Sequence, residues 1–321
     1  TGLKILGATM DATDKTKYTV GTNGLLGING NVEKLKIQSD DITNLSLPKS
    51  SPLLKTLILV SKSSSATATA TAIDLSGLTD LESLLIAGYS IESLDLTKLN
   101  KLKNLGIGAW ELGANFPEMT DAFGSVPEKA SRISEVKLPA NNVIENFIVR
   151  TATLQDGKCD FDNLPKLKKF FCQSPFFSNF TFAKSTELEV LYATAPTAGI
   201  KLNADLGSKP KLKDITFRNA TLSKFAVSNA TNVVLKDSNA GAIAVEFDNI
   251  PAAQALQYIA SKANASVTSI TLKNITISEE NLIKMIKRLQ TSGGTLKVKG
   301  ELLTTAVNAA LSAKGWTGAA L

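Results

Sequence analysis

The sequence predicts a repeat solenoid, mostly β and closed at its C-terminal end by a βα cap. Three observations carry this. Apolar residues alternate in short triplets along most of the chain, two rows of such triplets recur at a near-constant spacing, and after Phe247 the pattern changes to helix-plus-strand units. The spacing is plainest in LTDLESLLIAGYSIESLDLTKLNKLKNLGIG. Moved by twenty-one places, its Leu78, Leu81, Leu84 and Ile86 fall on Leu99, Leu102, Leu105 and Ile107.

Residues 1–31 show no clear repeat and are expected to close the N-terminal end, with GLKIL as a candidate strand. From 32 to 250 two rows are read. The first holds LKI (Leu35 to Ile37), LIL (Leu57 to Leu59), LLI (Leu84 to Ile86), LGI (Leu105 to Ile107), FFC (Phe170 to Cys172), LYA (Leu191 to Ala193) and ITF (Ile215 to Phe217). The second holds LSL (Leu45 to Leu47), IDL (Ile73 to Leu75), LDL (Leu94 to Leu96), FTF (Phe180 to Phe182), IKL (Ile200 to Leu202) and FAV (Phe225 to Val227). Apolar outer residues around a variable middle one are the period-two mark of a half-buried strand. Each unit therefore carries two strands, and its leucines form a ladder through the interior.

L-x-x-L-x-L spacing at a period in the twenties is the signature of a leucine-rich repeat. The matches SLDLTKLNKLKNLGI (Ser93 to Ile107) and LPKLKKFFC (Leu164 to Cys172) carry a resemblance to the internalin-like leucine-rich-repeat proteins of bacterial surfaces, the subgroup with 21-residue units. That resemblance spans roughly residues 32 to 250 and implies a right-handed superhelix. It also implies a protein secreted or anchored at a bacterial surface that acts as an adhesin-like binder of a protein ligand. The family's asparagine after the first strand is missing, with Gly88, Gly108 and Ser174 in the corresponding loops.

The period breaks at SKSSSATATATA (61–72), which suits an exposed loop or thin hairpin. It breaks again at 108–132, where Phe116, Met119 and Phe123 suggest a short amphipathic helix starting at Pro117. Both insertions follow a first-row strand and should leave from one edge. A third, 151–163, follows VIENFIV, read as second-row, and should leave from the other; a shorter break lies around Ala195 to Gly199. In the cap, 251–321, Ala252, Ala255, Leu256 and Ile259 share a helical face after Pro251, and VTSITL reads as a strand. Ser278 reads as the N-cap of a helix with Leu282, Met285, Ile286 and Leu289 inward, stopped by Gly293. TLKVK is another strand, and a last helix ends at Gly315 with Trp316 over the final apolar layer.

Composition narrows the chemistry. The chain has no histidine, which removes His-based acid/base catalysis, Ser/His/Asp systems and His-containing metal sites. Cys159 and Cys172 are the only thiols; a disulfide requires an oxidising compartment, and a free pair is preferred because Cys172 fills an Ile or Leu position. The net charge of +6, from 35 basic and 29 acidic residues, is dispersed, so no nucleic-acid partner is expected. No run approaches the ~18 apolar residues of a membrane-spanning helix. The sequence opens at Thr1 without a charged-then-apolar leader, so any targeting segment is read as removed or never included.

Asp156, Asp160 and Asp162 share one loop but lack the order of a calcium loop, and read as solvated turn residues. Asp74 and Asp95 are equivalent positions about 5 Å apart if units stack as strands do, without an evident cleft to tune them. No nucleotide-binding or nucleophile-elbow motif is present, and no cofactor is expected. Six N-x-S/T sequons, at Asn44, Asn179, Asn219, Asn229, Asn264 and Asn274, are near chance for this composition.

What the repeat does predict is a surface. The middle residues of the first row face outward on the concave sheet and read Lys36, Ile58, Leu85, Gly106, Phe171, Tyr192, Thr216 and Val234. Ile58, Leu85, Phe171 and Tyr192, with Trp110 from the neighbouring insertion, are the expected ligand-binding residues, because a contiguous exposed apolar patch marks a contact site. The competing expectation is an insertion folded back over the patch, with Trp110 and Phe116 placed to do it. The functional expectation is non-enzymatic recognition of a protein partner by the concave sheet and inserted loops. A carbohydrate-binding module using Phe171, Tyr192 and Trp110 as stacking platforms is the alternative.

Overall fold

The computed structural model describes all residues except 1–3, 7, 11, 14–17, 21–26, 30–31, 41–43, 47–52, 63–67, 70–71, 110–116, 127, 152, 175–176, 195–200, 219–220, 238–241, 262–266 and 292. Near the N-terminus, β1 (Lys4–Leu6) pairs antiparallel with β4 (Gly27–Asn29), and β2 (Ala8–Met10) with β3 (Tyr18–Val20).

The first row becomes one nine-stranded parallel sheet. In spatial order it holds β5 (Lys34–Gln38), β7 (Thr56–Val60), β10 (Ser83–Ala87), β12 (Asn104–Ile107), β14 (Asn146–Arg150), β15 (Lys169–Gln173), β17 (Val190–Thr194), β19 (Asp214–Arg218) and β21 (Val234–Asp237). Each turn of chain returns to the same starting edge, so every neighbour runs in the same direction. Leu57, Leu84, Leu105, Phe147, Phe170, Leu191 and Ile215 stand opposite one another and point inward. One residue further, Lys36, Ile58, Leu85, Gly106, Ile148, Phe171, Tyr192, Thr216 and Lys236 share the outward register.

Three readings of the sequence are corrected here. VIENFIV supplies a first-row strand, β14, between β12 and β15, and so Ile148 joins the outward row. The irregular insertion before it had hidden its phase. The insertion at 151–163 therefore also follows a first-row strand and shares that flank with the other two. Lys236, not Val234, is the register partner of Thr216.

A charged residue precedes the first eight of these strands: Glu33, Lys55, Glu82, Lys103, Glu145, Lys168, Glu189 and Lys213, alternating in sign. From Lys55 on, each donates its backbone N–H to the carbonyl of the one before. Lys55–Glu82 closes at 3.4 Å, Lys103–Glu82 at 3.1 Å, Lys168–Glu145 at 2.6 Å and Lys213–Glu189 at 2.7 Å. Exposed pairs of this kind are each worth under about 1 kcal/mol. Their arrangement also keeps like charges from meeting across neighbouring strands, and it disfavours a slipped register.

The second row comprises β6 (Asn44–Ser46), β8 (Ala68–Thr69), β9 (Ala72–Asp74), β11 (Tyr89–Asp95), β13 (Arg132–Lys137), β16 (Asn179–Phe180), β18 (Lys201–Ser208), β20 (Thr221–Ser228) and β22 (Ala242–Asp248). It pairs in parallel as β6–β9, β8–β11–β13 and β16–β18–β20–β22. RISEVK, unassigned in the sequence, is β13. The described part of SKSSSATATATA includes β8, which joins this row in parallel and is not half of a hairpin. Between the rows lies the main core, with leucines giving way to edge-on phenylalanines around Phe170, whose ring meets Phe147 and Phe182 at 5.7 and 4.7 Å.

After β22 the chain alternates α2 (Ala252–Ser261), β23 (Ser269–Lys273), α3 (Glu279–Arg288), β24 (Gly294–Val298), α4 (Thr305–Ser312) and β25 (Trp316–Ala320). The second-row sheet continues through β23, β24 and β25 to seven strands. On the other side helices replace first-row strands, α2 packing on β21, α3 on α2 and α4 on α3. The switch follows the apolar spacing, which passes from two to three-or-four residues. Ser278 caps α3 by accepting from Asn281 N at 3.3 Å, and Thr304 caps α4 by accepting from Val307 N at 3.2 Å. The last helix ends at Ser312, short of the Gly315 expected from the sequence, and Trp316, buried, opens β25 and donates its indole N–H to Gln290 O at 3.1 Å.

An asparagine ladder does exist, but it follows second-row strands. Asn229, Asn249 and Asn274 take positive φ of 57°, 52° and 49°, and Asn249 donates to Asn229 at 3.0 Å. At first-row ends that left-handed turn falls to Gly88 and Gly108.

Candidate functional site

The insertion at 108–132 crosses the outer face of the first-row sheet as α1 (Pro117–Phe123). Met119 and Phe123 are buried, and Ala122 and Val126 half-buried, against Ile58, Val60, Leu85, Ala87, Ala109, Ile148 and Phe171. This is a second apolar core, separate from the one between the rows. Its extent shows in the strands themselves. β10 is buried at every position, whereas β5 on one side and β19 on the other keep the alternation of a sheet with one face in solvent.

The covering segment is tied at both ends. Ala109 and Lys129 form an antiparallel bridge with backbone bonds of 2.7 and 2.9 Å. Arg150 reaches Ala109 O and the Glu128 carboxylate, each at 3.1 Å, and the Lys129 ammonium donates to Ser61 O. Glu118 accepts from Lys169 Nζ at 2.7 and 2.8 Å. Burial, the largest single influence, would raise the Glu118 carboxyl, but the Lys169 bond, a backbone N–H and the charges of Lys169 and Lys168 together outweigh it and hold the group below its ordinary value. Gly108 makes the crossing possible, because a Cβ there would lie 2.1 Å from Arg150 O.

This geometry corrects the expected open patch. Ile58, Leu85 and Phe171 are 0%, 3% and 4% exposed, so they are packing residues beneath α1. Trp110 and Phe116 lie outside the described residues. Tyr192 stands at the boundary, half-buried, its ring stacked on Phe171 at 4.7 Å and 12°. The Arg218 guanidinium carbon sits 5.4 Å from the Tyr192 ring centre, within cation–π range. Burial pushes the Tyr192 phenol upward despite this cation.

Beyond Tyr192 the outward face is half-buried at Val190, Asp214 and Thr216 and exposed at Arg218 and Val234. Val190 and Tyr192 of β17, Asp214, Thr216 and Arg218 of β19, and Val234 of β21 share it, Thr216 Oγ1 donating to Asp214 at 3.1 Å. Val234 is 42% exposed, among the most exposed large apolar side chains described. Arg218 was not foreseen, although the return of alternation at ITF marks where the sheet is uncovered again.

The residues considered for chemistry have other tasks. Asp74 and Asp95 lie in strands that are not hydrogen-bonded to each other, and each carboxylate caps its own turn, accepting from Ser76 N and Thr97 N at 2.9 Å. Asp156 accepts from Ser178 N at 3.1 Å and Asp162 from Ala183 N at 3.1 Å, so both stitch one unit to the next. Among the described residues no group of three or more His, Cys, Asp or Glu is gathered for a metal ion. Cys159 and Cys172 are free, buried thiols whose pKa values burial raises strongly.

No family model matches the sequence, and no curated protein matches it. Among solved structures, the chain is similar to the functional domain of InlJ from Listeria monocytogenes, which includes a cysteine ladder. Identity is 15% and the TM-score 0.37, over 82% of this chain and 54% of that one, so this chain spans about half of that structure.

Proposed function

We propose that the protein is a non-enzymatic recognition protein, secreted or held at a cell surface, that binds a protein partner with the concave first-row sheet and its inserted loops. The observation that carries the reading is the open patch of Tyr192, Arg218 and Val234 on that sheet. It joins an aromatic ring and a guanidinium lying over it, the types that dominate binding energy at interfaces, and Val234 adds exposed apolar area beside them. The extracellular setting rests on the sequence resemblance. Of the platforms a carbohydrate reading needs, Phe171 is buried and its ring face is taken by Tyr192.

The test is a screen of displayed extracellular proteins against the chain, repeated with Tyr192→Ala, Arg218→Glu and, on the second-row sheet, Lys297→Glu. A binder that weakens at least about tenfold with the first two substitutions and not with the third supports the concave face. Binders sensitive only to Lys297→Glu would move the site to the other sheet and refute the reading.

A further inference from the structure

We propose that the apolar strip beneath α1 is a seat for an amphipathic helix, filled in cis by α1 until a partner helix of the same pattern replaces it. The inference rests on the concave face being the binding face, and names the partner's chemistry: a helix with apolar residues at i, i+4 and an acidic residue at its N-terminal end.

Four observations lead there. The strip and α1 form an apolar cluster of their own, so lifting α1 leaves the core between the rows closed. From Ile58 to Tyr192 the strip crosses six strands, about 24 Å at ~4.8 Å per strand. A seven-residue helix is only about 10 Å long. α1 thus spans less than half of that line, the rest of the buried strip being covered by other residues of the insertion, Ala109 and Val126 among them, and a longer helix laid along the same line would replace them and reach Tyr192 and Arg218.

The helix is also weakly self-sustaining. Seven residues are too few to be stable alone, and α1 stops at Gly124, whose surroundings are empty. Met119, Phe123 and the Glu118–Lys169 pair hold it. Finally, the electrostatics set polarity. Glu118, near the helix start, meets Lys169 on β15, while α1 packs on β12, β10 and β7. A partner's acidic N-terminal turn would face Lys169 and Arg218, complementing its own dipole.

Native-state hydrogen exchange on the full chain is the first test. Amides of Asp121 to Gly124, which are bonded within the helix, should exchange at least about 100-fold faster than those of β10 and β12, through opening of α1 alone. Exchange at the same rate as the sheet overturns the proposal, since the strip would then open only when the fold does. The second test uses a labelled peptide of residues 117–126 against the full chain carrying Met119→Ala and Phe123→Ala, which loosen the cis helix. Saturable binding, weakened at least about fivefold by Lys169→Glu, is expected; no saturable binding overturns the seat. A protein that binds through Tyr192 and Arg218 while α1 protection stays unchanged sinks the seat and leaves the concave-face reading standing.

Discussion

Lys209 is the residue whose replacement should make the protein more stable. It occupies a place in the L-x-x-L ladder that holds Leu78, Leu99 and Leu164 in other units, as the matching backbone bonds to the residue three further on show. It is 1% exposed. Its ammonium donates to the carbonyls of Leu206 and Ser208, and burial lowers its pKa against the pull of Asp162 and Asp205.

A buried cation costs several kcal/mol of lost hydration, and two carbonyl bonds with the pull of Asp162 and Asp205 return only part of it. Lys209→Met keeps the unbranched stem, removes the charge and leaves two carbonyls short of a donor at about 1 kcal/mol each. The net expectation is a gain of about 1–2 kcal/mol at neutral pH. The sign with pH follows from linkage. The folded-state pKa lies below the unfolded one, so the wild-type chain gains stability as pH rises between the two. The advantage of Lys209→Met is therefore fullest below that interval and fades toward about pH 10. Urea unfolding of both chains at neutral and alkaline pH measures it. A loss above about 1 kcal/mol that does not vary with pH would mean that the carbonyl bonds outweigh the charge, and would refute the reasoning.

Three further outcomes are expected. Gly108→Ala should cost at least about 3 kcal/mol, by positive φ and the clash with Arg150 O, whereas Gly157→Ala, also at positive φ but with open space, should cost about 1; equal melting shifts would contradict the packing. Glu82 is held below its ordinary pKa first by the bond from Lys103, so its contribution is present above the unfolded value and lost as pH falls through the folded one. Glu82→Gln should then flatten the acid limb of stability by about 0.5 kcal/mol, discounted for exposure and smaller still in high salt. Cys159 and Cys172 should resist a thiol reagent in the native protein and both react in denaturant; fast native labelling would place them at the surface.

The repeat was legible because its strands announce themselves through parity. LIL, LLI, LGI, FFC, LYA and ITF are all first-row strands. Phase is obscured where an insertion interrupts it, as at NFIV, although Glu145 before it continues the alternating charges of the first row. The site was half legible. Ile58, Leu85 and Phe171 are too apolar for an open face, and they are buried beneath α1. What parity cannot say is whether a foreign surface or the chain itself covers such residues. The amphipathic pattern of Pro117 to Phe123 held that answer, since Met119 and Phe123 lie one helical turn apart and need something to pack on.

The exchange of strands for helices after β21 also fixes how much sheet there is to bind with. The three strands beyond α1, each about 16 Å long and ~4.8 Å wide, offer about 230 Å². A stable interface takes about 800 Å² from each partner. All nine strands together approach that figure, at about 700 Å². A partner meeting only the exposed end must therefore draw most of its contact from the inserted loops, or remain a transient visitor. One that gains the rest of the sheet has the area of a lasting complex, and the choice between the two is made at α1.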